Sequence, residues 1–458
     1  MKLLVLVKYV LFFNQEDLYV MKSLLKLVMI MELLWLLLEK DILNIKIMKI
    51  LVLGSGGREH AIGKKLLEDD HSIHLYFYPG NGGTSLIGKN IENHHTTLDL
   101  CFFAKKNAID ITIVGSETFL LEGVVDIFKY FGLKIVGPHY LAAKLEGNRI
   151  FAKSFMKKYG IRTPKYNIFF CYEKAMNFLK KNENSVAIKT NGIAAGKGVF
   201  LAHNQNDAIK ALKNIMIKKK FGKSGNQIII EEFLQGKEAS IISIFNGKEI
   251  IPFLSAKDYK KIGENEKGLN TGGMGAIVPN PYWTNSIWID FKKNILEPTL
   301  EGLIIEKLTF FGFLYFGLMI TYNKVYLLEY NTRIGDPEAQ TLFPLMKSNF
   351  LNIIQSTFQH KKIFIDWKKL CSCCVVLSSI GYPEKYESGK IISGLNSLKE
   401  PFYIAGAKIE QEKWITSSGR VMNVVGIGNS IQEARKKAYD QVQKIQFDNL
   451  YFRKDIGL

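Results

Sequence analysis

Leu328-Glu329-Tyr330-Asn331-Thr332-Arg333 places two hard oxygen donors and a guanidinium at alternate positions. On a strand, alternate side chains share a face, so Glu329, Asn331 and Arg333 should project together while Leu328 and Tyr330 point the other way. A carboxylate with an amide oxygen is what Mg²⁺ takes when substrate phosphates and water complete its shell. The same alternation also describes an ordinary solvated strand face. Gly335-Asp336-Pro337-Glu338 follows, and Asp336 as N-cap with Pro337 at the first helical position predicts a helix whose amino end faces an anion.

KTNGIAAGKGV, Lys189 to Val199, looks built to hold phosphate, but it is no P-loop. Gly192 precedes Gly196-Lys197 by one residue too few, and Gly198 stands where the hydroxyl should be. Its context is strand, loop, strand. Lys189 can reach a phosphate as a fixed cation, with Gly192, Gly196 and Gly198 as a flap; the plain alternative is a hairpin with surface lysines. Glu231-Glu232-Phe233-Leu234 ends an isoleucine run, where backbone donors and acceptors could read an adenine edge, and Glu238 could accept from ribose hydroxyls. Near Met48, the run Lys49 to Leu53 ends in Gly54-Ser55-Gly56-Gly57 before a predicted helix from Arg58 to Leu67, a turn of the phosphate-cradling kind. Glu59 stands where a dinucleotide fingerprint needs its last glycine, which disfavours nicotinamide binding.

These residues need elements to position them. After Met48, strands alternate with helices through LKIVGP, which implies a parallel sheet covered on both faces. From about Gly147 the texture changes to a helix (Arg149 to Tyr159), further strands, a hairpin with a type I′ turn at Asn246-Gly247, and a strand pair turning at Tyr322 to Lys324. A last unit follows about Lys362, with one helix from Ile431 to Lys444. At 458 residues, 47% hydrophobic and 23% charged, the chain can bury several cores. The net charge of +18 is spread out and dominated by lysine among Ile and Asn, so it reads as compositional bias before it reads as a polyanion-binding face. Cys101, Cys171, Cys371, Cys373 and Cys374 form no disulfide framework and no paired zinc spacing, which points to a reducing compartment; CSCCVVL reads as a buried strand of small residues. Residues 1–47 have no glycine, proline or arginine and fit neither a secretory signal nor a spanning helix, and are expected to be an extension upstream of an initiator at Met48.

Taken together, GSGGREHA, PGNGGT, VGSE, AAKLEG, IKTNGIAAGKGV, IIEEFLQGKEAS, NTGGMGA, EYNTRIGDPEAQ, SSGRV and FRKDIG occur in one order from Met48 to Leu458. In this the chain resembles the phosphoribosylamine–glycine ligases (glycinamide ribonucleotide synthetases) of the ATP-grasp superfamily. The resemblance implies an α/β and α+β multidomain fold: a parallel-sheet α/β substrate-binding domain (48–150), an ATP-grasp domain of two lobes (151–361, flap lobe about 170–236) and a small α+β C-terminal domain (362–458). It implies ligation of glycine to 5-phospho-D-ribosylamine through glycyl phosphate in purine biosynthesis, with another ATP-grasp carboxylate–amine ligase as the alternative. It makes Glu329 and Asn331 ligands of Mg²⁺ or Mn²⁺. Lys153 and Lys189 become phosphate contacts, and Glu231, Glu232, Leu234 and Glu238 the adenine and ribose site of ATP. Gly56, Gly57, Arg58, Glu59, Asn81 and Gly82 would hold phosphoribosylamine. Asp258, Arg333, Gly335 and Asp336 would border the glycine and acyl phosphate, with Arg333, Asp258 and Lys189 catalytic. The family usually has aspartate where Asn191 stands. A cytoplasmic monomer without nucleic-acid or membrane partners is expected.

Overall fold

In this computed structural model, residues 26–33, 47–92, 96–192, 198–399 and 401–458 are described. The chain divides into two units, Met1–Met48 and Lys49–Leu458. In the first, residues 26–33 are helical and exposed; most of the expected 1–47 extension lies outside the described residues, as do Gly196 and Lys197 of the flap. Among the described residues no helix is long and apolar enough to cross a membrane.

The second unit begins with Ile50–Leu53, apolar and buried at every position, as a strand covered on both faces must be. This run forms β1 (Lys49–Gly54), from which α1 (Gly57–Asp69) departs. β1 is central to a five-stranded sheet, with β2 (His74–Pro79) and β3 (Lys89–Asn90) on one side and β4 (Ile111–Val114) and β5 (Ile135–Val136) on the other. Its pairs are parallel. Helices α2 (Tyr140–Gly147) and α3 (Arg149–Lys158) lead to a four-stranded antiparallel lobe of β6 (Tyr166–Phe169), β7 (Val186–Thr190), β8 (Val199–Ala202) and β9 (Ile228–Glu232). Its core is Ile188, Leu212, Ile228 and Ile230.

From Lys237 the chain runs through β10 (Lys237–Asn246), β11 (Ile250–Pro252), β12 (Lys257–Asp258), β13 (Lys261–Gly263), β14 (Lys267–Asn270) and β15 (Gly275–Val278) to the long pair β16 (Phe311–Thr321) and β17 (Lys324–Asn331). The second lobe is the sheet β11-β10-β16-β17. β10 and β11 do form a hairpin, but not with the expected turn. Phe245 pairs with Ile250, leaving four loop residues. Only Gly247 among them has positive φ (83°), and Asn246 Oδ1 accepts from the Lys248 and Glu249 amides (3.0 and 2.9 Å). The asparagine side chain closes the loop itself. Paired positive φ occurs instead at Tyr322 (47°) and Asn323 (59°), where β16 meets β17.

Helix α4 (Glu338–Leu342) has Pro337 as its N-cap, so the expected start is displaced by one residue and Asp336 does not cap it. The last region comprises β18 (Cys371–Ser379), β19 (Phe402–Ile404), β20 (Ala407–Glu410), β21 (Lys413–Thr416), β22 (Arg420–Gly428), α5 (Ile431–Val442) and β23 (Leu450–Tyr451). CSCCVVL is the buried strand β18, and burial pushes the Cys373 thiol up to about 12. The sheet containing it is ordered β12-β15-β18-β22-β19, with β23 also on β18. A boundary at 362 therefore divides a hydrogen-bonded sheet, because β15 pairs with β18 across almost a hundred intervening residues.

Candidate active site

The two lobes, the parallel-sheet region and β22 enclose a cleft of about 480 Å³. Glu329 and Asn331 line it from β17. Strict alternation does not put them there. Leu318 pairs with Leu327 and Gly317 with Glu329, so Leu328 is an extra residue in a β-bulge. Leu327 lies in the core, whereas Leu328, Glu329, Tyr330 and Asn331 all line the cleft, Tyr330 also reaching the core, which corrects the expectation that Leu328 faces away. Burial would raise the Glu329 pKa, but Lys260, Arg149, Lys189 and Arg333 outweigh it and hold the carboxyl down at about 2. Arg149 Nη2 stands 3.5 Å from its Oε2. One end of the Asn331 amide faces only acceptors, Glu146 Oε1 (3.1 Å) and Tyr330 O (3.3 Å), so hydrogen bonding assigns the nitrogen to that end and the amide oxygen to the other.

An ionised carboxylate and an amide oxygen, two residues apart, fit a hard divalent cation such as Mg²⁺ or Mn²⁺. Among the described residues no group of three or more His, Cys, Asp or Glu forms a complete cage. The donor set thus suits an ion whose remaining positions come from phosphate and water.

Opposite this pair, the two lysines converge on one carboxylate. Glu231 Oε1 lies 2.9 Å from Lys153 Nζ and its Oε2 lies 2.7 Å from Lys189 Nζ. Lys153 comes from α3 and Lys189 from β7, so helix and flap lobe meet here. Burial lowers the Lys153 pKa to about 8, against the pull of Glu231. Glu231 is 2% exposed and its side chain is taken up by the lysines, so it does not present a free carboxylate to a base or ribose. Glu232, whose Oε1 accepts from the Lys165 amide (2.8 Å), and Leu234 line the same cleft. An adjoining cavity of about 930 Å³ shares Leu234 and Glu238 with it. Asn191 joins the two parts: its Oδ1 accepts from the Ile150 amide at the start of α3 (2.8 Å), while its Nδ2 donates to Gln227 Oε1 (2.8 Å).

On the third wall, Arg333 is held by Glu117 (Nε to Oε2, 3.2 Å) and Glu146 (Nη2 to Oε1, 3.0 Å). Arg333 in turn holds the Glu117 carboxyl down at about 2. Asp258 is buried, and its Oδ1 has no hydrogen-bond partner among the described residues. Burial and then the Glu338 charge push its pKa up, while Lys260 opposes them. Lys260 Nζ lies 3.5 Å from Glu238 Oε2. Asp336 Oδ1 meets Arg420 Nη1 (3.2 Å) and Gln340 Nε2 (2.8 Å), and its Oδ2 accepts from the Arg58 amide at the start of α1 (3.3 Å). Burial would raise the Asp336 pKa; Arg420 and Arg58 bring it below the usual carboxylate value. Gly335 also lines the cleft.

Arg58 reaches the cleft from the parallel-sheet region, but Gly56, Gly57, Glu59, Asn81 and Gly82 are not in its lining. Glu59 is 0% exposed. Its Oε2 accepts from the Gly56 amide (2.6 Å) and its Oε1 from Arg58 Nε (2.7 Å). Gly54, which ends β1, and Gly115, which follows β4, at the point where strand order reverses, leave room for it: a Cβ at either would fall on the Glu59 side chain. Glu59 fills the crevice where open α/β sheets take ligands, with its carboxylate held between the Gly56 amide and Arg58. Asn81 Nδ2 donates to Ser55 O (2.9 Å) and Ile404 O (3.0 Å), and the Gly82 amide donates to Ala407 O (2.9 Å); both tie the PGNGG loop to the C-terminal region.

Glu117, Glu146, Arg149, Glu338 and Arg420 line the cleft without having been singled out as site residues. Arg149 and Glu146 flank Asn148, whose Oδ1 caps α3 (2.9 Å to the Phe151 amide), so the helix break in LEGNR was their available signal. Glu117 and Arg420 belong to VGSE and SSGRV, motifs that carried the resemblance without a site role being given to either residue.

Three family models match the chain in succession: the N domain of phosphoribosylglycinamide synthetase over residues 48–146, its ATP-grasp (A) domain over 147–339 and its C domain over 372–458. The chain belongs to the phosphoribosylglycinamide synthetase family. Within the family it is 49% identical to a phosphoribosylamine–glycine ligase of Fusobacterium nucleatum over 419 residues, 90% of this chain and 98% of the relative. A second ligase so named, from Clostridium acetobutylicum, is 47% identical over 90% of this chain and 99% of its own length. Among solved structures, the Thermotoga maritima phosphoribosylamine–glycine ligase superposes with a TM-score of 0.79 at 32% identity, covering 89% of this chain and 100% of that one. The biotin carboxylase domain of Hydrogenobacter thermophilus 2-oxoglutarate carboxylase shares the fold alone, with a TM-score of 0.66 at 12% identity over 88% of this chain and 91% of that one. The ATP-grasp (A) domain match takes in both lobes of the cleft.

Proposed function

We infer that this chain is a phosphoribosylamine–glycine ligase, which joins glycine to 5-phospho-D-ribosylamine with cleavage of ATP to ADP and phosphate and so makes glycinamide ribonucleotide for purine biosynthesis. The observation that carries the reading is the convergence, in a synthetase-family chain, of Glu329 and Asn331 with Lys153 and Lys189 from facing lobes of one cleft.

Glycine's carboxylate is a poor electrophile. One of its oxygens attacks the γ-phosphorus, the bond to the β,γ-bridging oxygen breaks, and ADP leaves with that electron pair. The phosphoribosylamine nitrogen then attacks the acyl carbon of glycyl phosphate, phosphate leaves with the C–O pair, and the nitrogen releases a proton. No side-chain nucleophile is required, so the residues work by positioning and charge. Lys153 and Lys189 present ammonium groups to the triphosphate, and Glu231 fixes both. Glu232 and Leu234 offer the strand-end backbone to adenine, and Glu238 sits where the ribose would lie. Arg333, steadied by Glu117 and Glu146, faces the transferring phosphoryl group, with Asp258, Gly335 and Asp336 around the glycine. Arg58 and the loops at Gly56, Gly57, Asn81 and Gly82 border the phosphoribosylamine. A divalent cation, Mg²⁺ or Mn²⁺, held by Glu329 and Asn331 supplies charge neutralisation on the phosphates when bound. The five free cysteines fit a reducing, cytoplasmic setting.

The test is ADP formation by the purified protein with ATP, a divalent cation, glycine and freshly generated phosphoribosylamine, each omitted in turn. Turnover should require every component. Equal turnover without glycine, or with another amino acid in its place, would replace this reading with a different ATP-grasp ligase.

A further inference from the structure

The FRKDIG motif near the carboxyl end takes no part in the cleft, yet it grips the segment that does. Arg453 is charged and 0% exposed, a placement that proteins tolerate only when every donor is engaged. Its Nε and Nη2 pair with Asp455 (2.8 and 2.7 Å), and Nη2 also meets Glu266 Oε1 (2.8 Å). Its Nη1 donates to Lys261 O (2.9 Å), and the guanidinium lies 5.1 Å from the centre of the Tyr259 ring. Around it, Tyr451 Oη donates to Ile262 O (2.7 Å), the Lys454 amide to Glu264 Oε1 (3.2 Å), the Asn265 amide to Asp455 Oδ2 (2.9 Å) and the Gly457 amide to Tyr259 Oη (3.0 Å). Apart from the Arg453–Asp455 pairs, these contacts fall on residues 259–266, which take in β13, the two residues before it and its turn. Asp258 and Lys260, either side of Tyr259, line the cleft. Amides of Thr271 and Met274 donate to Lys260 O and Tyr259 O (both 2.8 Å), which carries the same restraint into the NTGGMG loop.

We propose that Arg453, with residues 451–457, is a positioning element for the ligation step: it fixes the 257–263 segment so that Asp258 and Lys260 meet the acyl side of the cleft. This rests on the ligase reading above. Of the ATP-facing groups, Lys153, Lys189 and Glu231 to Leu234 lie on other elements, and Glu238 meets the segment only through the 3.5 Å approach of Lys260. The segment therefore acts on turnover more than on ATP affinity.

The test compares the full chain with Arg453→Ala, Arg453→Lys and Tyr451→Phe, the last removing only the hydroxyl that meets Ile262 O. Steady-state kinetics, amide exchange at Thr271 and Met274, and unfolding midpoints are read together. Arg453→Ala should lose at least about tenfold in kcat with the KM for ATP within about twofold, and should exchange faster at both amides. Guanidinium ion in the buffer should restore part of its rate, and Arg453→Lys should lie between it and the parent. Tyr451→Phe, which keeps the fold should Arg453→Ala lose it, should lose about two- to threefold in kcat. Parent kcat and parent exchange in Tyr451→Phe and Arg453→Lys would overturn the proposal. So would a loss of kcat, ATP affinity and unfolding midpoint in parallel, which is the signature of a merely structural arginine. Failure of the ligase reading would show instead as a parent protein with no glycine-dependent ADP formation.

Discussion

Lys153 carries a pH signature. Its pKa of about 8 means that the ammonium form holds at pH 7 and is lost as pH rises through 8, taking with it an attraction for phosphate. The KM for ATP should therefore rise several-fold between pH 7 and 9. Lys153→Arg, which stays charged over that range, should flatten the profile; rates at graded ATP concentrations across that range would check both. At Glu329 and Asn331, Glu329→Gln with Asn331→Ala removes the carboxylate charge at one position and the side-chain oxygen at the other, and should cost at least about 100-fold in glycine-dependent ADP formation, with far-UV circular dichroism unchanged. That Glu329 and Asn331 share a face was legible in the sequence, because residues two apart on a strand do so, whereas the phase set by the bulge at Leu328 was not. Glu117 and Glu146 were not, since they arrive from separate helices and only the fold makes them partners of Arg333. The packing of Glu59 was not legible for a related reason: a glycine-rich turn signals close approach, and here the group that approaches Gly54 is the chain's own carboxylate.

At the scale of elements, the long pair β16 and β17 decides the aim of the site. The bulge at Leu328 shifts the phase of β17 just before Glu329, a change that apolar patterning cannot reveal because Leu328 is itself apolar. Turn chemistry was similarly half legible. Asn246-Gly247 marked a hairpin correctly but not its geometry, while the paired left-handed turn lies at Tyr322-Asn323, a place with no glycine. Tyr322 is 97% exposed and pays backbone strain without contributing to the core. Tyr322→Asn should raise stability by about 0.5–1 kcal/mol, seen as a higher urea midpoint at unchanged slope, with activity unaffected.

At the scale of the whole molecule, the loop 333–338 is where the regions meet: Arg58 from α1 and Arg420 from β22 both reach Asp336. Arg420 also donates to Gly272 O (2.7 Å), closing the NTGGMG loop against the C-terminal sheet. Removing Arg420 alone leaves a buried carboxylate short of its main counter-charge, so Arg420→Leu should cost about 3–5 kcal/mol in urea unfolding. Adding Asp336→Asn should return part of that loss, because the orphaned charge disappears with it.

The sheet β12-β15-β18-β22-β19 also bears on how such a chain can be inherited. Its strands come from both sides of the stretch that looks like a border between modules. A recombination event near residue 361 would hand one parent's β15 to another parent's β18, with a buried ladder of Gly275 to Val278 against Ser372 to Val375 to be matched at the join. An ending there would expose that same apolar strand as an open edge. The ATP-grasp and C-terminal portions are thus bound to travel together, and the crossover points that evolution or an engineer can use lie away from the border that the sequence suggests.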